Sequence, residues 1–556
     1  MNQIPTRFAP GPLRLILFFI LAILPAAVQA QLSPLWVSRV PLGTSASSAP
    51  AGIFVDPDGV SYITGTSGAG TSTDITTVSF AADGTTRWSQ TYNSGGSAAD
   101  QARGITKSAD GVLYVVGNTP GPQSFANVLV LAYDAATGAL LRTIKYSTAP
   151  GISESGASIM TDTAGNIYVG GSTVGDATDV MTLKFTSAGV LQWRKTWDGA
   201  AFGPFSNDAI IKLLLDANGN PLVLINGLTG SNQPDYVVVK YAAGDGAILW
   251  EASWGTNGGE YPIDMEIDVA GDVYVTGTAI DLIDKYSTIK LNGSNGQLIW
   301  QFYDALGNDH SATGLFLDSQ GGVLITGASD PDGDHSNFND QFFTVKRDAT
   351  TGAQLWTHVY GQTCVGCYDV PSDVRVDSEG HTFVVGITSS PPYSNDVILF
   401  VLDNNTGLEI NRGVVFNSGT EVLNSGPLRF DAAFNLYDGG RVYNANTGAI
   451  DMSVTKWASL VTGGGGGIPC SDISSLQARC KSGANGNRLL VRLNLTDTSH
   501  SGEQVQISVD GAPFTLTISG NRAQLSMPET APGPHTIELT DPAGCLAPVM
   551  STCPAN

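Results

Sequence analysis

The chain has 556 residues, of which 14% are charged and 66 are glycine. Its 50 acidic and 27 basic residues give a formal net charge of −23. This balance argues against a nucleic-acid-binding protein, because phosphate contacts need clustered Lys and Arg. A hydrophobic content of 42% is enough for a packed core and argues against wholesale disorder.

Residues 1–30 have the pattern of a secretory signal peptide. Arg7 and Arg14 form the basic region, Leu15–Leu24 is apolar, and small residues precede a cleavage point before Gln31. The apolar run is shorter than the ~20 residues of a membrane span, and an uncleaved anchor is the alternative. We therefore expect export to the periplasm, the cell surface or the medium, with no membrane span in the mature chain.

One sequence unit recurs eight times in the chain. Its first half is an apolar run, an acidic turn with Gly, and an aromatic-rich strand that ends in Gly. These terminal glycines are Gly65, Gly117, Gly171, Gly227, Gly277, Gly327, Gly386 and Gly440. The second half holds a Gly turn, and in five units a Trp follows that Gly by four residues. The pairs are Gly84/Trp88, Gly189/Trp193, Gly246/Trp250, Gly296/Trp300 and Gly352/Trp356.

Each unit contains four short strands separated by turn residues, without an amphipathic helix. Radial stacking buries both faces of such a unit, so the repeats predict an all-β fold, a β-propeller over residues 31–460. Eight units favour eight blades, with seven as the alternative. The segment Leu35–Val40 resembles a Trp-bearing outer strand and precedes the first complete unit. We expect it to complete the last blade and close the ring.

The repeat resembles a known family through its pattern of Asp, Gly-Asn, Tyr-Val-x-Gly and a later Lys before Gly-x-x-x-Trp. Lys184, Lys240, Lys290 and Lys346 occupy that Lys position. On these residues the region is similar to the bacterial β-propeller repeat proteins of the SBBP type, which implies a propeller.

Two segments, 134–138 and 348–356, also look like the tryptophan docking motif of quinoprotein dehydrogenases. This second resemblance covers blade packing only. Quinoprotein enzymes carry an adjacent Cys-Cys pair, whereas this chain has Cys364-Val365-Gly366-Cys367, and no catalytic residue is carried over.

The C-terminal part of the chain reads as a different domain. A Gly-rich linker at 461–469 precedes residues 470–556, where alternating segments predict a small Ig-like β-sandwich. Its cysteines are Cys470, Cys480, Cys545 and Cys553. An even number in an exported module predicts two disulfides, in any of three connectivities. Cys364 and Cys367 are expected to form a local disulfide in a propeller loop.

Two acidic positions recur along the propeller. The Asp that opens the third strand (Asp74, Asp179, Asp235, Asp340, Asp396) is interpreted as a turn or inter-blade hydrogen-bonding residue, and the repeated Trp residues as packing anchors. The second position precedes the first strand of each blade and comprises Asp100, Glu154, Asp208, Glu260, Asp309 and Asp369. If the first strands surround a channel, these carboxylates face one funnel and are candidate Ca²⁺ ligands. The alternative is separate carboxylates, each bonded to a neighbouring blade.

A second candidate cation site is the loop that contains Asp330, Asp332 and Asp334, which resembles the first half of an EF-hand loop. Its Gly falls at position four rather than six, and position twelve is Gln341 rather than Glu. A solvated acidic loop is the alternative interpretation.

The sequence therefore predicts an exported, non-enzymatic binding or scaffold protein that presents a rigid propeller to a protein or glycan partner, with Ca²⁺ as a candidate stabilising ion. The first alternative is a propeller enzyme, either a quinone-dependent dehydrogenase or a cation-assisted lyase or hydrolase. The second is a glycan-binding surface adhesin. No Ser elbow, phosphate loop or His pair with metal-ligand spacing is present to favour an enzyme.

Overall fold

The described residues of this computed structural model are all in strands, turns or loops, and none lies in a helix. They comprise 32, 34–40, 49–69, 72–95, 99–121, 125–174, 178–199, 208–229, 233–256, 258–280, 284–304, 309–330, 339–361, 367–389, 396–415, 421–424, 426–444, 449–457, 473–483, 486–496, 504–510, 512–541 and 549–554. The prediction of an all-β chain is confirmed. Two compact units divide the chain: one holds the described residues up to 56 together with 60–429 and 437–457, the other 57–59, 430–436 and those after 457.

Seven consecutive four-stranded antiparallel sheets follow one another between residues 49 and 415, each built in chain order. Sheet 1 comprises β2 (Ala49–Val55), β3 (Ser61–Ala69), β4 (Ser72–Phe80) and β5 (Thr86–Tyr92). Sheet 2 comprises β6 (Gln101–Lys107), β7 (Val112–Pro120), β8 (Ala126–Asp134) and β9 (Leu140–Tyr146). Sheet 3 comprises β10 (Ser153–Thr161), β11 (Ile167–Val174), β12 (Thr178–Phe185) and β13 (Leu191–Trp197).

The next four sheets repeat this order. Sheet 4 comprises β14 (Ala209–Leu215), β15 (Pro221–Leu228), β16 (Pro234–Tyr241) and β17 (Ile248–Trp254). Sheet 5 comprises β18 (Gly259–Ile267), β19 (Val273–Ile280), β20 (Lys285–Leu291) and β21 (Leu298–Asp304). Sheet 6 comprises β22 (Asp309–Leu317), β23 (Gly322–Asp330), β24 (Asn339–Asp348) and β25 (Gln354–Tyr360), with the short β26 (Cys367–Tyr368) parallel to β24. Sheet 7 comprises β27 (Val370–Val376), β28 (His381–Thr388), β29 (Asp396–Asp403) and β30 (Glu409–Val415).

Sheet 8 joins the two ends of the repeat region. Its late strands are β31 (Glu421–Asn424), β32 (Leu428–Phe430), β33 (Leu436–Asn444) and β34 (Ala449–Trp457). Its outermost strand is β1 (Pro34–Val40), which pairs antiparallel with β34. A buried cluster then connects sheet 8 to sheet 1 through Tyr437, Met452 and Val454 on one side and Ile53 and Val78 on the other. The N-terminal strand therefore takes the place that its sequence predicts and closes the ring of a β-propeller.

The burial of the strands follows from this stacking. Second and third strands are covered on both faces by neighbouring sheets, so β19 is buried along nearly its whole length. Fourth strands lie at the outer edge and alternate, as β17 does, with exposed residues beside the buried Trp250. Continuous apolar runs and alternating runs in the sequence thus correspond to inner and outer strands.

Adjacent sheets are joined by a repeated contact that we call the indole clamp. In it, the indole N–H of a fourth-strand Trp donates to a backbone carbonyl in the turn between the third and fourth strands of the next sheet, over 2.9–3.2 Å. The pairs are Trp88 with Ala135, Trp193 with Ala243, Trp250 with Gly293, Trp300 with Ala349, and Trp356 with Asn404. In sheet 2 Arg142 occupies the Trp position, and its guanidinium donates to the carbonyl of Ser187.

Lysine reinforces the clamp. The third-strand residues Lys184, Lys240, Lys290 and Lys346 donate to the same carbonyls as the neighbouring Trp residues. Lys346 also lies 2.7 Å from the carboxylate of Asp318 in its own sheet. Burial alone would raise the pKa of Asp318, but Lys346, Asn404 and backbone N–H groups hold it below its usual value. The Lys position of the repeat is therefore structural.

The closing contact has the same chemistry. Trp36 Nε1 of β1 and Lys456 Nζ of β34 each donate to the carbonyl of Ala82 in sheet 1, both over 3.1 Å. A Cβ added at Gly84, whose φ is +84°, would lie 2.6 Å from the Trp36 ring. Glycine is required there both by the left-handed backbone and by the close approach of the indole. The first and last sheets are thus joined as the others are.

The C-terminal unit contains two sheets. One is ordered β35 (Ile473–Gly483), β36 (Gly486–Leu495) and β39 (Arg522–Thr530). The other is ordered β38 (Ala512–Thr517), β37 (Gln504–Val509), β40 (Gly533–Asp541) and β41 (Val549–Cys553). Side chains from both sheets share one buried core that includes Val491, Ile507 and Ile537. A disulfide joins Cys480 to Cys553, which selects one pairing among those left open, while Cys470 and Cys545 lie outside the described residues.

Candidate functional site

The acidic residues predicted before the first strands are buried. Asp100, Glu154, Asp208, Glu260 and Asp369 are at most 1% exposed. Each accepts hydrogen bonds from the segment that precedes it in the chain, from the end of the second strand of its own sheet, or from both. The donors are Ser94 N to Asp100, Thr148 N, Thr148 Oγ1 and Thr173 Oγ1 to Glu154, Gly199 N and Leu228 N to Asp208, Thr256 N and Oγ1 to Glu260, and Thr388 Oγ1 and Ser389 N to Asp369. These contacts serve the loop that crosses from one sheet to the next.

The crossing loop brings the two recurring acidic positions together. The N–H of Asp208 donates to the carbonyl of Thr178, beside Asp179 at the start of the preceding third strand. Ligand oxygens of Asp179, Asp198 and Asp208 lie within 4.8 Å of one another. Burial, followed by the charges of Asp198 and Asp208, raises the pKa of Asp179. The structure thus gathers acids locally between two sheets.

The other predicted cation ligands are only partly described. Asp309 begins β22 and pairs with Asp330, which is buried at the end of β23, but the side chain of Asp309 is outside the described set. Asp332, Asp334 and Cys364 also lie outside the described residues. Cys367 opens β26, and only its backbone is described.

A central cavity of about 270 Å³ is lined by residues from five different sheets. They are Lys212, Asp264, Thr313, Ser372, Asp373, Arg375, Gly426, Pro427 and Arg429. Lys212 lies on β14, Asp264 on β18, and Arg375 on β27. First strands that are far apart in the sequence therefore meet at one axis, although none of the acids predicted for this place lines the cavity.

A β-bulge directs these side chains. In each of the first seven sheets the pairing of first and second strands shifts by one residue, and a bulge re-aims the residue that follows. The residues immediately after the bulges are Gly52, Gly104, Ser158, Lys212, Asp264, Gly314 and Asp373. Sheets 1–3 and sheet 6 place small residues there, whereas sheets 4, 5 and 7 place charges. The channel is therefore asymmetric.

The negative side of the channel surrounds Lys212. Its Nζ lies 2.7 Å from Asp264 and 3.1 Å from Glu266, both on the next sheet. Although burial lowers the pKa of Lys212, the two carboxylates outweigh it and raise that pKa above the usual value. Asp264 Oδ2 also accepts the N–H of Leu315 from sheet 6 over 3.1 Å. Asp264 therefore both bonds to the next sheet and forms an ion pair with Lys212 in the channel.

The positive side surrounds Asp373. Its Oδ2 accepts the N–H of Leu428 from sheet 8 over 2.8 Å. Arg375 lies 2.8 Å from the same carboxylate, and Arg429 lies 4.0 Å from it. Two guanidinium groups thus share one carboxylate. Partial removal from water in the cavity, together with the nearby charge of Arg375, lowers the pKa of Arg429.

Asp438 lies on β33 and contacts Gly426, which lines the cavity. It is 2% exposed and accepts the N–H of Gly426 over 2.8 Å. Burial, reinforced by the charge of Asp373, raises the pKa of Asp438 to about 7. The corresponding residues of the other units, counted from the first turn, are Ile63, Val115, Val169, Val223, Val275, Ile325 and Val384. A titratable carboxyl therefore replaces a buried aliphatic residue in one sheet only.

An exposed apolar feature lies at the outer edge, which we call the aliphatic rim. In sheets 2–7 large aliphatic residues at the start of the fourth strand, or just before it, are exposed. They are Leu140, Leu141, Val190, Leu191, Ile248, Leu249, Leu298, Ile299, Leu355 and Leu408. Leu408 is 70% exposed and Ile248 55%. The repeated Trp residues beside the rim are buried, with only 6–9% of each exposed. They are therefore not available as exposed platforms for glycans.

Acidic turns border the aliphatic rim. Hydrogen bonds from Thr137 hold the pKa of Asp134 below its usual value, and bonds from Thr351 and Thr406 do the same for Asp348 and Asp403. These three side chains are therefore ionised down to acidic pH. The rim is both apolar and negatively charged.

Solved structures similar to this chain include propeller proteins. Quinohemoprotein alcohol dehydrogenase from Comamonas testosteroni is 12% identical over 78% of each chain, with a TM-score of 0.46. The WD40 domain of SCAP from fission yeast is 10% identical, with a TM-score of 0.42, over 76% of this chain and 98% of its own. The propeller domain of the Trilobed protease from Pyrococcus furiosus is 9% identical, with a TM-score of 0.36, over 64% and 95%. The propeller assignment of this chain rests on its own sheets and their pairing.

No protein-family profile and no curated protein sequence matches the chain. Among the described residues, no helix is long and apolar enough to cross a membrane.

Replacing Asp438 tests whether its carboxyl keeps a proton in the folded chain near neutral pH. The folded chain keeps this proton up to about pH 7, whereas an unfolded Asp loses it near 3.8. Folding therefore takes up a proton between these values, and the free energy of unfolding falls as pH rises from 4 to 7. Asp438→Asn cannot ionise, so its stability relative to the parent chain should rise by roughly 4 kcal/mol across that window.

Melting temperatures of both proteins at pH 4, 5, 6, 7 and 8 measure this effect. The exposed Asp245→Asn, which removes one surface charge, should show no comparable trend. A difference between Asp438→Asn and the parent chain that stays constant over the series contradicts the assignment.

Proposed function

We propose that this chain is an exported, non-enzymatic binding protein whose ring of sheets is a rigid scaffold for a partner protein. The observation that carries the proposal is the aliphatic rim, where six successive sheets expose large apolar side chains. Single exposed apolar residues are ordinary, but exposed apolar residues at the same position in six sheets favour an interaction surface. The sequence repeat supplies the same position six times.

The recurring polar residues support a scaffold because they are engaged in structure. The indole clamps occupy the fourth-strand Trp residues, and the third-strand Lys residues share their acceptors. Asp318 accepts the N–H groups of Gln320 and Gly322 within its own turn. Repetition therefore builds a stable ring, and exposed positions are left for recognition.

The chemistry of the rim indicates the chemistry of the partner. Aliphatic side chains favour an apolar complementary surface, and the ionised Asp134, Asp348 and Asp403 favour basic side chains around it. A protein with an apolar patch bordered by Lys or Arg fits this description. The formal net charge of −23 would increase its rate of encounter.

The same proposal includes export, the number of blades and the role of the C-terminal module. The signal-like residues 1–30 support export, and the eight sheets of the repeat region support eight blades related to the SBBP repeat. The two sheets that share one core after residue 472 support an Ig-like module acting as a spacer or attachment unit.

The rim is tested by making it polar. Sheet 1 has Thr86 at the position of Ile248, and sheet 3 has Gln192 at the position of Leu249, so Ile248→Thr with Leu249→Gln uses residues that the repeat already tolerates. Immobilised mature chain is used to capture exported proteins of the source cell, and each bound protein is then purified and titrated individually. We expect the double variant to weaken a direct partner at least tenfold without a loss of thermal stability.

The control is Val269→Thr, because Val269 is fully exposed in the turn between the first two strands of sheet 5. This variant should bind like the parent chain. Equal affinities of the partner for the parent, the rim variant and the control would refute the rim as the binding surface.

Ca²⁺ remains part of the proposal as a stabilising ion, supported by the converging carboxylates of Asp179, Asp198 and Asp208. Without the ion, Asp198→Asn should raise the melting temperature because it removes like-charge repulsion. With millimolar Ca²⁺ the parent chain should gain stability and the variant should gain much less. Equal Ca²⁺-dependent shifts in the two proteins would remove this group as a cation site.

A further inference from the structure

The scaffold function does not use the central cavity, and only some of the sheets place charged residues in its lining. The repeat places small or apolar residues at most first-strand positions, yet Arg375 and Arg429 occupy the corresponding position in sheets 7 and 8. The remaining six residues at this position are Phe54, Thr106, Met160, Leu214, Glu266 and Phe316. Stability of the repeat therefore does not require the two arginines.

The hydrogen bonds of the two arginines leave the same edge of each guanidinium open. Arg375 Nη1 donates to the carbonyl of Val374 over 2.7 Å and also faces Asp373. Arg429 Nη1 donates to the carbonyl of Leu428 over 2.7 Å. Within the described part of the chain, Nε and Nη2 of both residues have no protein acceptor. This edge is the one that binds an oxyanion through two parallel N–H bonds.

The charges of the cavity are separated, with both arginines on one side. Two guanidinium groups lie beside the carboxylate of Asp373, while Lys212 is matched by Asp264 and Glu266 on the other side. Glu266 and Asp264 also interact electrostatically with Arg429. The side chain of Arg375 is 15% exposed and lies against the ring of Phe316, with 5.2 Å between the guanidinium and the ring centre. Its low exposure strengthens an electrostatic contact relative to one in bulk water.

We propose that the central cavity binds a small molecule that bears an oxyanion group, a carboxylate or a phosphate, held by Arg375 and Arg429. The cavity volume of about 270 Å³ suits a compact ligand, because it lies just below the ~300–1,000 Å³ range of ligand pockets. The hydroxyl-bearing Thr313 and Ser372 line the same cavity. This inference is independent of the aliphatic rim, which lies on the outer strands.

The test titrates the full mature chain with sodium phosphate, and separately with sodium malonate, at constant ionic strength set with sodium chloride. Calorimetry and melting temperature are measured together. We expect saturable binding of at least one of the two anions and a rise in melting temperature with its concentration. Arg429→Gln and Arg375→Gln should each weaken this binding at least tenfold.

A control variant keeps the result interpretable. Arg479→Gln changes an exposed arginine on β35 of the C-terminal unit, which is not among the residues that line the cavity, and should bind the anion like the parent chain. If Arg375→Gln fails to fold, Arg429→Gln decides, because the Arg429 side chain is 40% exposed and its removal leaves little buried space. A phosphate response without a malonate response identifies a phosphate site, and the reverse identifies a carboxylate site.

Three results overturn the proposal. The first is no saturable heat and no change in melting temperature with either anion up to 20 mM, on the order of the weakest affinity expected for a specific small ligand. The second is an equal response from the parent chain and Arg429→Gln, which shows a general salt effect. The third is loss of binding in Arg479→Gln as well, which shows dependence on overall charge.

Discussion

The structure depends on one hydrogen-bonded contact that is repeated between neighbouring sheets. A turn carbonyl in one sheet accepts both an indole N–H and a Lys ammonium from the sheet before it, as Gly293 does from Trp250 and Lys240. Because a single four-stranded sheet cannot bury both faces, its apolar second and third strands need a neighbour on each side. The clamp fixes that neighbour in position. Trp36 and Lys456 apply it between the last sheet and the first.

Closure of the ring explains why the first strands can carry chemistry. Once each sheet is held at its outer edge, the residues facing the axis are not needed for the clamp and can differ between repeats. Asp264 and Asp373 combine both roles, since one oxygen of each holds the next sheet and the carboxylate also faces a channel cation. The outer edge contrasts with the channel, because its aliphatic rim recurs in six sheets and faces solvent. The propeller therefore offers a repeated surface outside and a unique cavity inside.

Local sequence signals predicted the strands well, because turn glycines and strand alternation act over a few residues. The same holds for β1, whose Leu35-Trp36 resembles the outer strands it joins. The position of the recurring acids was harder to predict, since Asp100 and Glu154 are turned into their own loops by nearby N–H groups that the repeat pattern does not reveal. The pairing of Cys480 with Cys553 likewise depends on how the two C-terminal sheets stack.

The repeat pattern does not predict the channel charges, because they are not shared by every repeat. The useful signal was the opposite one, a position where one repeat departs from the rest. Asp438 stands where the other units have Ile or Val, and Arg375 and Arg429 stand where most have apolar residues. Such departures could be read from the sequence alone, although the bulge that brings Lys212 and Asp373 to one cavity could not.

The most direct measurement of ring closure is a double-mutant cycle between Gly84 and Trp36. A Cβ at residue 84 meets the indole only if the N-terminal strand lies in sheet 8, whereas Gly111 has an equally positive φ, +85°, with open space around it. Gly84→Ala should cost about 1–3 kcal/mol more than Gly111→Ala in the free energy of unfolding, and this excess should vanish when Trp36 is replaced by Ala. Equal costs for the two glycine variants, or an excess that persists without Trp36, would contradict the closed ring.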